Sequence, residues 1–387
     1  MSGRDPLCPP HRARQGAALT LVFAGVLVAG ALTGAFPDAD HPVRRGTTVP
    51  VGAPRDEDVR EAAARAMADG TSPMEAAERA VSRSGDRWGA VYSEGEYQEF
   101  QDALDGRYTG VGLSAARGQD GRIEVTGVQP GSPAAAAGVR TGDRLRSVDG
   151  ARADGLPVTE VVSRLRGDAD DAPAGTTVTL GLQRGARAWT ETLRRATLTT
   201  DSVTARRLSG RATLIRIASF TRGTGTRVRE ALRAAPAGGV VLDLRGNSGG
   251  LVTEAVATAS ALLDGGLVAT YDVDGAQRAL HATPGGDTAR PLVVLVDGGT
   301  MSAAELLTGA LQDRGRAVVI GSRTFGKGSI QMPTKLPDGS VAELTVGHYR
   351  TPCGHAVDGR GITPDLEAGD GVLPRAEAVL SGLGDPD

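Results

Sequence analysis

Three short segments rich in glycine and polar residues hold the residue types that acyl-transfer chemistry requires. The segments are Asp243–Gly250, Asp297–Ser302 and Ser322–Ser329. Each lies at the end of an apolar run typical of a buried parallel strand, and the runs are Gly239–Leu244, Pro291–Asp297 and Arg316–Gly321. Helical patterns follow the first two, at Leu251–Leu263 and Ser302–Gln312. Because the carboxyl ends of parallel strands meet at one edge of a sheet, we expect the three segments to line one crevice.

Ser302 in the second segment allows two interpretations. Its hydroxyl could cap the helix that it opens, as serine often does. Alternatively, it could be a nucleophile, with the helix dipole and the Ala303 N–H stabilising an oxyanion. A serine nucleophile needs a base, and none of the five histidines of the chain lies in a recognisable triad motif.

Lys327 in the third segment is a candidate for that base. Burial in an apolar pocket can lower the pKa of a lysine by about 3–5 units, which makes a neutral amine available. A solvated turn lysine is the alternative. Gln331 lies on the same stretch, where its amide could orient the amine, and the Gly249-Gly250 pair is either a plain turn or a second donor to an oxyanion.

The rest of the chain divides into regions that differ in hydropathy, charge and periodicity. An apolar segment from Ala17 to Phe36, preceded by basic residues, predicts export, with the segment serving as a membrane anchor or as a cleaved signal. The predicted regions are 1–36 (signal peptide or anchor), 37–54 (linker), 55–107 (helical region), 108–196 (β-rich module) and 197–387 (α/β core, to which 85–107 could contribute).

Composition narrows the class of protein. With 40% hydrophobic and 23% charged residues the chain is globular, and its net charge of -3 with scattered basic residues argues against nucleic acid as a partner. Clusters of cysteine and histidine with metal-ligand spacing are absent from the sequence, so no metal or organic cofactor is implied.

Taken together, the motifs DLRGNSGG, GGTMSAAELLTGALQDRGRAVVIGSRTFGKGSIQ and YRTPCGHAVDGRGITPD resemble those of the C-terminal processing peptidases, also called tail-specific proteases. The family places its lysine 25 residues after the serine and a glutamine 4 residues after the lysine, and Ser302, Lys327 and Gln331 match that spacing. The resemblance implies Ser302 as nucleophile, Lys327 as general base and Gln331 as the group that orients the lysine. Many members have proline at the position of Ser248 and serine at that of Ala304, but neither departure removes a proposed catalytic group.

The resemblance also covers the region before the core. DRWGAVYSEGEYQEFQDALDGRYTGVGL looks like the family's approach to a PDZ domain, which would occupy 108–196. In that family the loop Gly110-Val111-Gly112-Leu113 would receive the terminal carboxylate of a substrate tail, flanked by the strand Ile123–Val128 and the helix Val158–Leu165. The implied fold is a multidomain α/β protein with a crotonase-like protease core, an inserted PDZ domain and a helical N-terminal region.

The sequence therefore predicts an exported serine endopeptidase that cleaves proteins near their C-termini and binds polypeptides with apolar C-terminal tails. Lys327 would take the Ser302 proton, and the N–H groups of Ala303 and of Gly249 or Gly250 would hold the oxyanion. Two other functions stay open: a catalytically inactive PDZ adapter that binds tails, and a different Ser–Lys amidohydrolase. Assembly into a homo-oligomer is also left open by the sequence.

Overall fold

The computed structural model describes residues 56–384 except 119, 168–171, 209–211, 237, 274–275 and 370. The predicted anchor or signal, Ala17–Phe36, and the predicted linker at 37–54 lie outside the described residues. Among the helices that are described, none is long and apolar enough to cross a bilayer.

The N-terminal region is helical, as its apolar spacing predicts. Its elements are α1 (Asp56–Ala68), α2 (Pro73–Ser84), β1 (Ala90–Tyr92) and α3 (Glu94–Leu104). Ser72 caps α2 by accepting the Glu75 N–H at 3.3 Å, and Gly85 ends this helix in the left-handed conformation. Val59 and Ala63 of α1 and Val81 of α2 belong to one buried cluster with residues of the core.

A β-rich module follows. Its elements are β2 (Arg107–Gly110), β3 (Leu113–Arg117), β4 (Ile123–Val128), α4 (Pro133–Ala136), β5 (Arg144–Val148), β6 (Ala151–Arg152), α5 (Val158–Arg166), β7 (Thr177–Arg184), β8 (Arg187–Arg194) and β9 (Ala196–Thr199). The main sheet has the strand order β3-β4-β5-β7-β8, so β3 lies at its edge. Strands β2 and β9, at the two ends of the module, pair with each other in an antiparallel ribbon.

The core contains a mainly parallel six-stranded sheet in the order β10-β11-β12-β15-β16-β19. In chain order, the first elements of the core are β10 (Val203–Arg207), β11 (Thr213–Ile217), α6 (Thr224–Ala234), β12 (Val240–Asp243), α7 (Val252–Leu262), β13 (Gly266–Val273), β14 (Ala276–Ala282), β15 (Leu292–Val296), α8 (Ala303–Asp313) and β16 (Val318–Gly321). The chain continues with β17 (Ser329–Lys335), β18 (Val341–Arg350), β19 (Leu366–Glu367) and α9 (Val372–Gly384).

Both faces of this sheet are buried. Alternate residues such as Leu242 and Val294 pack with α6, α7 and α8, whereas Val241 and Val293 pack with α9. Strands buried on both faces are expected to be apolar throughout, which explains why these segments could be recognised in the sequence.

A second, antiparallel sheet has the strand order β1-β18-β13-β14, with β17 also paired to β18. Strand β1 therefore joins the N-terminal region to the core, because Ala90 pairs with Glu343 and Tyr92 with Val341. The α/β fold class with a helical N-terminal region, predicted from the sequence, is confirmed.

Candidate active site

The three predicted segments meet at the carboxyl edge of the parallel sheet. Thr300, whose side chain is fully buried, connects them: its hydroxyl donates to the Leu244 carbonyl at 2.9 Å, and its carbonyl accepts the Phe325 N–H at 3.0 Å. The loops after β12, β15 and β16 therefore form a single hydrogen-bonded unit.

Ser302 directly precedes α8 and has unusual backbone angles, with φ 55° and ψ −119°. A positive φ is costly for a residue with a Cβ, and such strain often accompanies function. The Ser302 N–H donates to Glu305 Oε2 at 2.9 Å, and the Glu305 N–H donates to the Ser302 carbonyl at 2.8 Å. Groups of Ser302 and Glu305 together therefore form the start of α8.

Glu305 connects Ser302 to Lys327. Its carboxylate is fully buried, and Oε2 also accepts the Lys327 N–H at 2.9 Å. Oε1 accepts the Gly326 N–H at 2.7 Å and the Thr324 hydroxyl at 2.5 Å. Burial raises the pKa of Glu305, and these four donors oppose that rise. A carboxylate that only accepts hydrogen bonds fits the ionised form.

Tyr349 of β18 provides a second link between the same two residues. Its hydroxyl lies 2.9 Å from the Ser302 carbonyl and 3.1 Å from the Lys327 carbonyl. The side chain is buried, and burial raises the pKa of this phenol well above its usual value. Ser302 and Lys327 are thus connected by two buried side chains from different elements.

The Lys327 amine lies 4.9 Å from the centroid of the Trp88 ring. Among the described residues, none forms a hydrogen bond or an ion pair with this amine. Burial lowers the pKa of Lys327 from 10.5, while Glu343 and Asp86 act in the opposite direction. Burial also raises the pKa of Glu343 to about 7, and the Lys327 charge opposes that rise.

Gln331 lies on β17, near this cluster. Its amide nitrogen donates to Ser329 Oγ at 2.8 Å and to Thr345 Oγ1 at 3.2 Å. Thr345 in turn donates from its N–H and from its hydroxyl to Asp86, both at 2.8 Å. The described contacts of Gln331 therefore do not include Lys327, and its orienting role stays a prediction.

The Gly249-Gly250 pair lies against the serine. A Cβ added to Gly249 would lie 2.9 Å from the Ser302 Cβ and 3.2 Å from the Ala303 nitrogen. The Gly249 N–H donates to Asn247 Oδ1 at 2.8 Å, so it is already occupied. Ala303 begins α8 and its N–H has no acceptor within the helix. Of the three predicted donors, Gly249 is therefore the one whose N–H already has an acceptor.

The predicted tail-binding loop lies in the β-rich module, away from the loops that carry Ser302. Gly110 ends β2 and Leu113 begins the edge strand β3. Gly112 has φ 78°, and a Cβ on it would lie 2.2 Å from the Ser132 Cβ. The Val111 carbonyl accepts the Ala134 N–H at 2.9 Å, which fixes this loop to the start of α4.

Comparisons with known proteins agree with this architecture. The sequence model of the PDZ domain matches residues 124–184, and that of peptidase family S41 matches residues 211–368. The solved photosystem II D1 C-terminal processing protease superposes with a TM-score of 0.50 at 31% identity, covering 81% of this chain and 86% of that chain. The chain belongs to the C-terminal processing peptidases of family S41.

Curated relatives of this family are similar over most of the chain. The chloroplastic C-terminal processing peptidase of Tetradesmus obliquus is 39% identical over 303 residues, which cover 72% of this chain and 64% of that protein. The chloroplastic carboxyl-terminal-processing peptidase 2 of Arabidopsis thaliana is 34% identical over 311 residues, covering 76% of this chain and 59% of that protein. The match therefore spans about three fifths of the length of these family members.

The composition of the chain carries a further signal, not used above, that singles out Lys327. The chain has 43 lysine and arginine residues, of which only Lys327 and Lys335 are lysines. Arginine remains protonated in proteins, whereas a buried lysine can lose its proton. One of the two lysines of this chain thus stands at the position where the sequence predicts a base.

Four further residues around the two candidates were also missed: Glu305, Tyr349, Trp88 and Glu343. Glu305 could have been noted as an acidic residue in the first turn of an otherwise apolar helix. The Trp88 ring lies beside the Lys327 amine and the charge of Glu343 acts on it, both from distant parts of the chain, so no local pattern indicates their influence.

Proposed function

We propose that the protein is a serine endopeptidase that cleaves polypeptides near their C-termini. In this scheme Ser302 Oγ attacks the carbonyl carbon of the peptide bond and the Lys327 amine accepts the hydroxyl proton. The tetrahedral intermediate collapses to an acyl-enzyme as the protonated Lys327 returns the proton to the departing amine. Water then hydrolyses the ester, again with Lys327 as base.

One observation carries this proposal: the buried Glu305 carboxylate accepts hydrogen bonds from both the Ser302 and the Lys327 backbone. Tyr349 links the carbonyl groups of the same pair. A helix cap and an unrelated turn lysine would have no need of two shared buried partners. A nucleophile and its base do, because catalysis depends on their mutual alignment.

The environment of Lys327 supports its role as base. Its pKa is lowered mainly by burial, which favours the neutral amine. The carboxyl group of Glu343, with its pKa raised to about 7, carries a full negative charge less often than an exposed glutamate would at neutral pH. This reduces the attraction that would otherwise keep Lys327 protonated.

For the oxyanion we propose the N–H groups of Ala303 and Gly250. Ala303 follows the nucleophile at the positive end of α8, where donors face a developing negative charge. Gly250 is preferred over Gly249, because the Gly249 N–H already donates to Asn247.

We further propose that the β-rich module recognises the substrate tail. Its strand β3 is an edge strand and could accept an extended peptide as an added strand, with the loop Gly110–Leu113 receiving the terminal carboxylate. The substrates would be polypeptides with apolar C-terminal tails. The proposed site of action is outside the cytoplasm, and it rests on the sequence of Ala17–Phe36 alone.

The direct test is hydrolysis of an unfolded reporter protein with an apolar C-terminal tail. Ser302→Ala and Lys327→Arg should each reduce kcat/KM by about 10²–10⁴-fold or more, since arginine cannot act as a base. Lys335→Arg is the matched control for the second change and should keep the wild-type rate. Equal cleavage by all four proteins would refute the proposed dyad.

Tail recognition needs a separate test on the substrate side. The same reporter with an amidated C-terminus lacks the terminal charge that the loop would bind, so its KM should rise at least about tenfold. Identical KM values for the free acid and the amide would exclude the proposed role of the Gly110–Leu113 loop. They would leave the dyad untouched.

A further inference from the structure

Trp88 is the residue that covers the Lys327 amine, and it comes from outside both segments that match the family models. It lies between α2 and β1, whereas the matched segments are 124–184 and 211–368. Its ring centroid is 4.9 Å from Lys327 Nζ and 5.8 Å from the centroid of the Phe325 ring. We call this aromatic pair, of which Trp88 lies against the amine, the cover.

The position of Trp88 is held by Asp86. The Asp86 carboxylate accepts the N–H groups of Trp88 and Gly89, at 3.0 Å and 2.9 Å. It also accepts both donors of Thr345 on β18. A Cβ on Gly89 would lie 2.7 Å from Val81 Cγ1, so the turn has room only for glycine. This tight turn is attached to the strand that carries Glu343.

We propose that Trp88 is a positioning residue for the general base: its indole keeps bulk water from the Lys327 amine, so that the amine meets Ser302 unprotonated. The inference rests on the proposed function, because it assigns Trp88 a part in preparing that base. It also gives the N-terminal helical region a part in the chemistry, since this region supplies the cover.

Two effects of Trp88 on Lys327 act in opposite directions. The ring face attracts an ammonium, which favours the protonated amine. Burial disfavours it, and burial is the largest influence on the lowered pKa of Lys327. Removing the ring should therefore raise the pKa, because the gain in hydration outweighs the lost cation–π contact.

The titratable and charged groups around Lys327 are not all independent of Trp88, since the Arg87 guanidinium lies 4.8 Å from the centroid of its ring. They come from the turn before β1, from α8, from β18 and from the loop after it, and they are Asp86, Arg87, Glu305, Glu343, His348 and Asp358. A substitution of Trp88 by another uncharged residue leaves all of these charges in the chain. Phe325→Ala leaves both Trp88 and Arg87 in place, so a shift in Lys327 protonation in that variant can be assigned to the cover rather than to a displaced Arg87 charge.

The presence of only two lysines makes a direct measurement feasible. In protein labelled with [ε-13C]lysine, the full chain should give two side-chain NMR signals, and Lys335→Arg assigns them. In Trp88→Ala the titration midpoint of Lys327 should rise by about one unit, a tenfold loss of free amine at a given pH below the midpoint. In Trp88→Phe it should move by no more than a few tenths of a unit.

Two further variants complete the design. Trp189→Ala removes the other tryptophan, which lies in the β-rich module, and should leave the Lys327 midpoint unchanged. Phe325→Ala removes the exposed half of the cover, so it should fold even where Trp88→Ala does not, and should raise the midpoint by a smaller amount.

Enzyme kinetics provide the second readout. For Trp88→Ala the acidic limb of kcat/KM against pH should shift upward with the NMR midpoint, and the rates should approach wild type at high pH. A midpoint that stays or falls in Trp88→Ala and Phe325→Ala would overturn the inference, as would an equal loss of rate at every pH. Because the NMR titration needs no turnover, a failure of the cover can be distinguished from a failure of the dyad.

Discussion

The backbone around Ser302 and the side chain of Lys327 are held in very different ways. On the serine side, Glu305 accepts four hydrogen bonds of 2.5–2.9 Å and is fully buried in the core. On the lysine side, the described neighbours of the amine are an aromatic ring and two acidic side chains rather than hydrogen-bond partners. If the two residues act as we propose, the contacts on the serine side fix position and those on the lysine side set the protonation of the amine.

This difference separates two requirements of a Ser–Lys dyad. Alignment is provided by the parallel sheet, by α8 and by Tyr349, all within the core. In our proposal, the neutral state of the Lys327 amine depends on the turn before β1, which lies outside the parallel sheet and its helices. Mutations on the two sides should therefore have different kinetic signatures.

Glu305→Ala should have the largest effect. It leaves four donors, two of them buried and two partly buried, without their acceptor, and we expect a loss of about 3–5 kcal/mol in the free energy of unfolding together with loss of activity. Denaturant unfolding and reporter cleavage measure the two effects. Glu254→Ala is the matched control, since Glu254 accepts the N–H groups of Gly223 and Gly225, both at 2.9 Å, at the start of another helix. That variant should lose less stability and retain cleavage.

Tyr349→Phe tests alignment with little change in volume. Loss of the hydroxyl removes contacts of 2.9 Å and 3.1 Å to the dyad carbonyls and should lower kcat by about tenfold, equivalent to ~1.4 kcal/mol. The acidic limb of the pH profile should stay in place, because burial of the amine is unaltered. Tyr271→Phe, at the position paired with Tyr349 on β13, is the control and should be near neutral. A shifted limb in Tyr349→Phe would contradict the division between position and protonation.

Glu343→Gln should do the opposite of Tyr349→Phe: the acidic limb of the pH profile moves, and the limiting rate stays nearly constant. The effect should also be smaller. Removing a negative charge near Lys327 lowers the pKa of the amine, so the acidic limb should move down by about half a unit while the rate at high pH changes little. The pKa of Glu343 is raised from 4.5 to about 7 on folding, so the wild type loses stability as the pH rises through that window. The thermal midpoint of Glu343→Gln, relative to that of wild type, should therefore be higher at pH 8 than at pH 5. An equal difference at both pH values would argue against a buried, titrating Glu343.

Much of the fold could be predicted from the sequence because the parallel strands are buried on both faces. Leu292–Val296 is apolar at every position and was recognisable as a strand, whereas β14, Ala276–Ala282, has mixed polarity and was not. The antiparallel sheet also depends on pairings between distant segments, such as β1 with β18. Local pattern does not reveal such pairings.

The candidate site shows the same limit. Ser302 and Lys327 were found from their spacing and from the motifs around them, which are local properties. The link from Asp86 to Thr345 joins residues 259 positions apart, and it determines where Trp88 lies. The groups that shift the pKa of Lys327 could therefore not be predicted from the sequence. The small number of lysines, by contrast, could have drawn attention to this residue.

The antiparallel ribbon of β2 and β9 has a consequence for how this chain could be rebuilt. Gly106 and Thr200, just outside the ribbon, are joined by a hydrogen bond of 2.7 Å from the Thr200 N–H to the Gly106 carbonyl. The chain thus leaves the N-terminal region and returns to the core at almost the same point. Because its two ends are adjacent, the β-rich module could be exchanged for another peptide-binding domain without changing the distance that the remaining chain must bridge. For the same reason, a short turn could replace it.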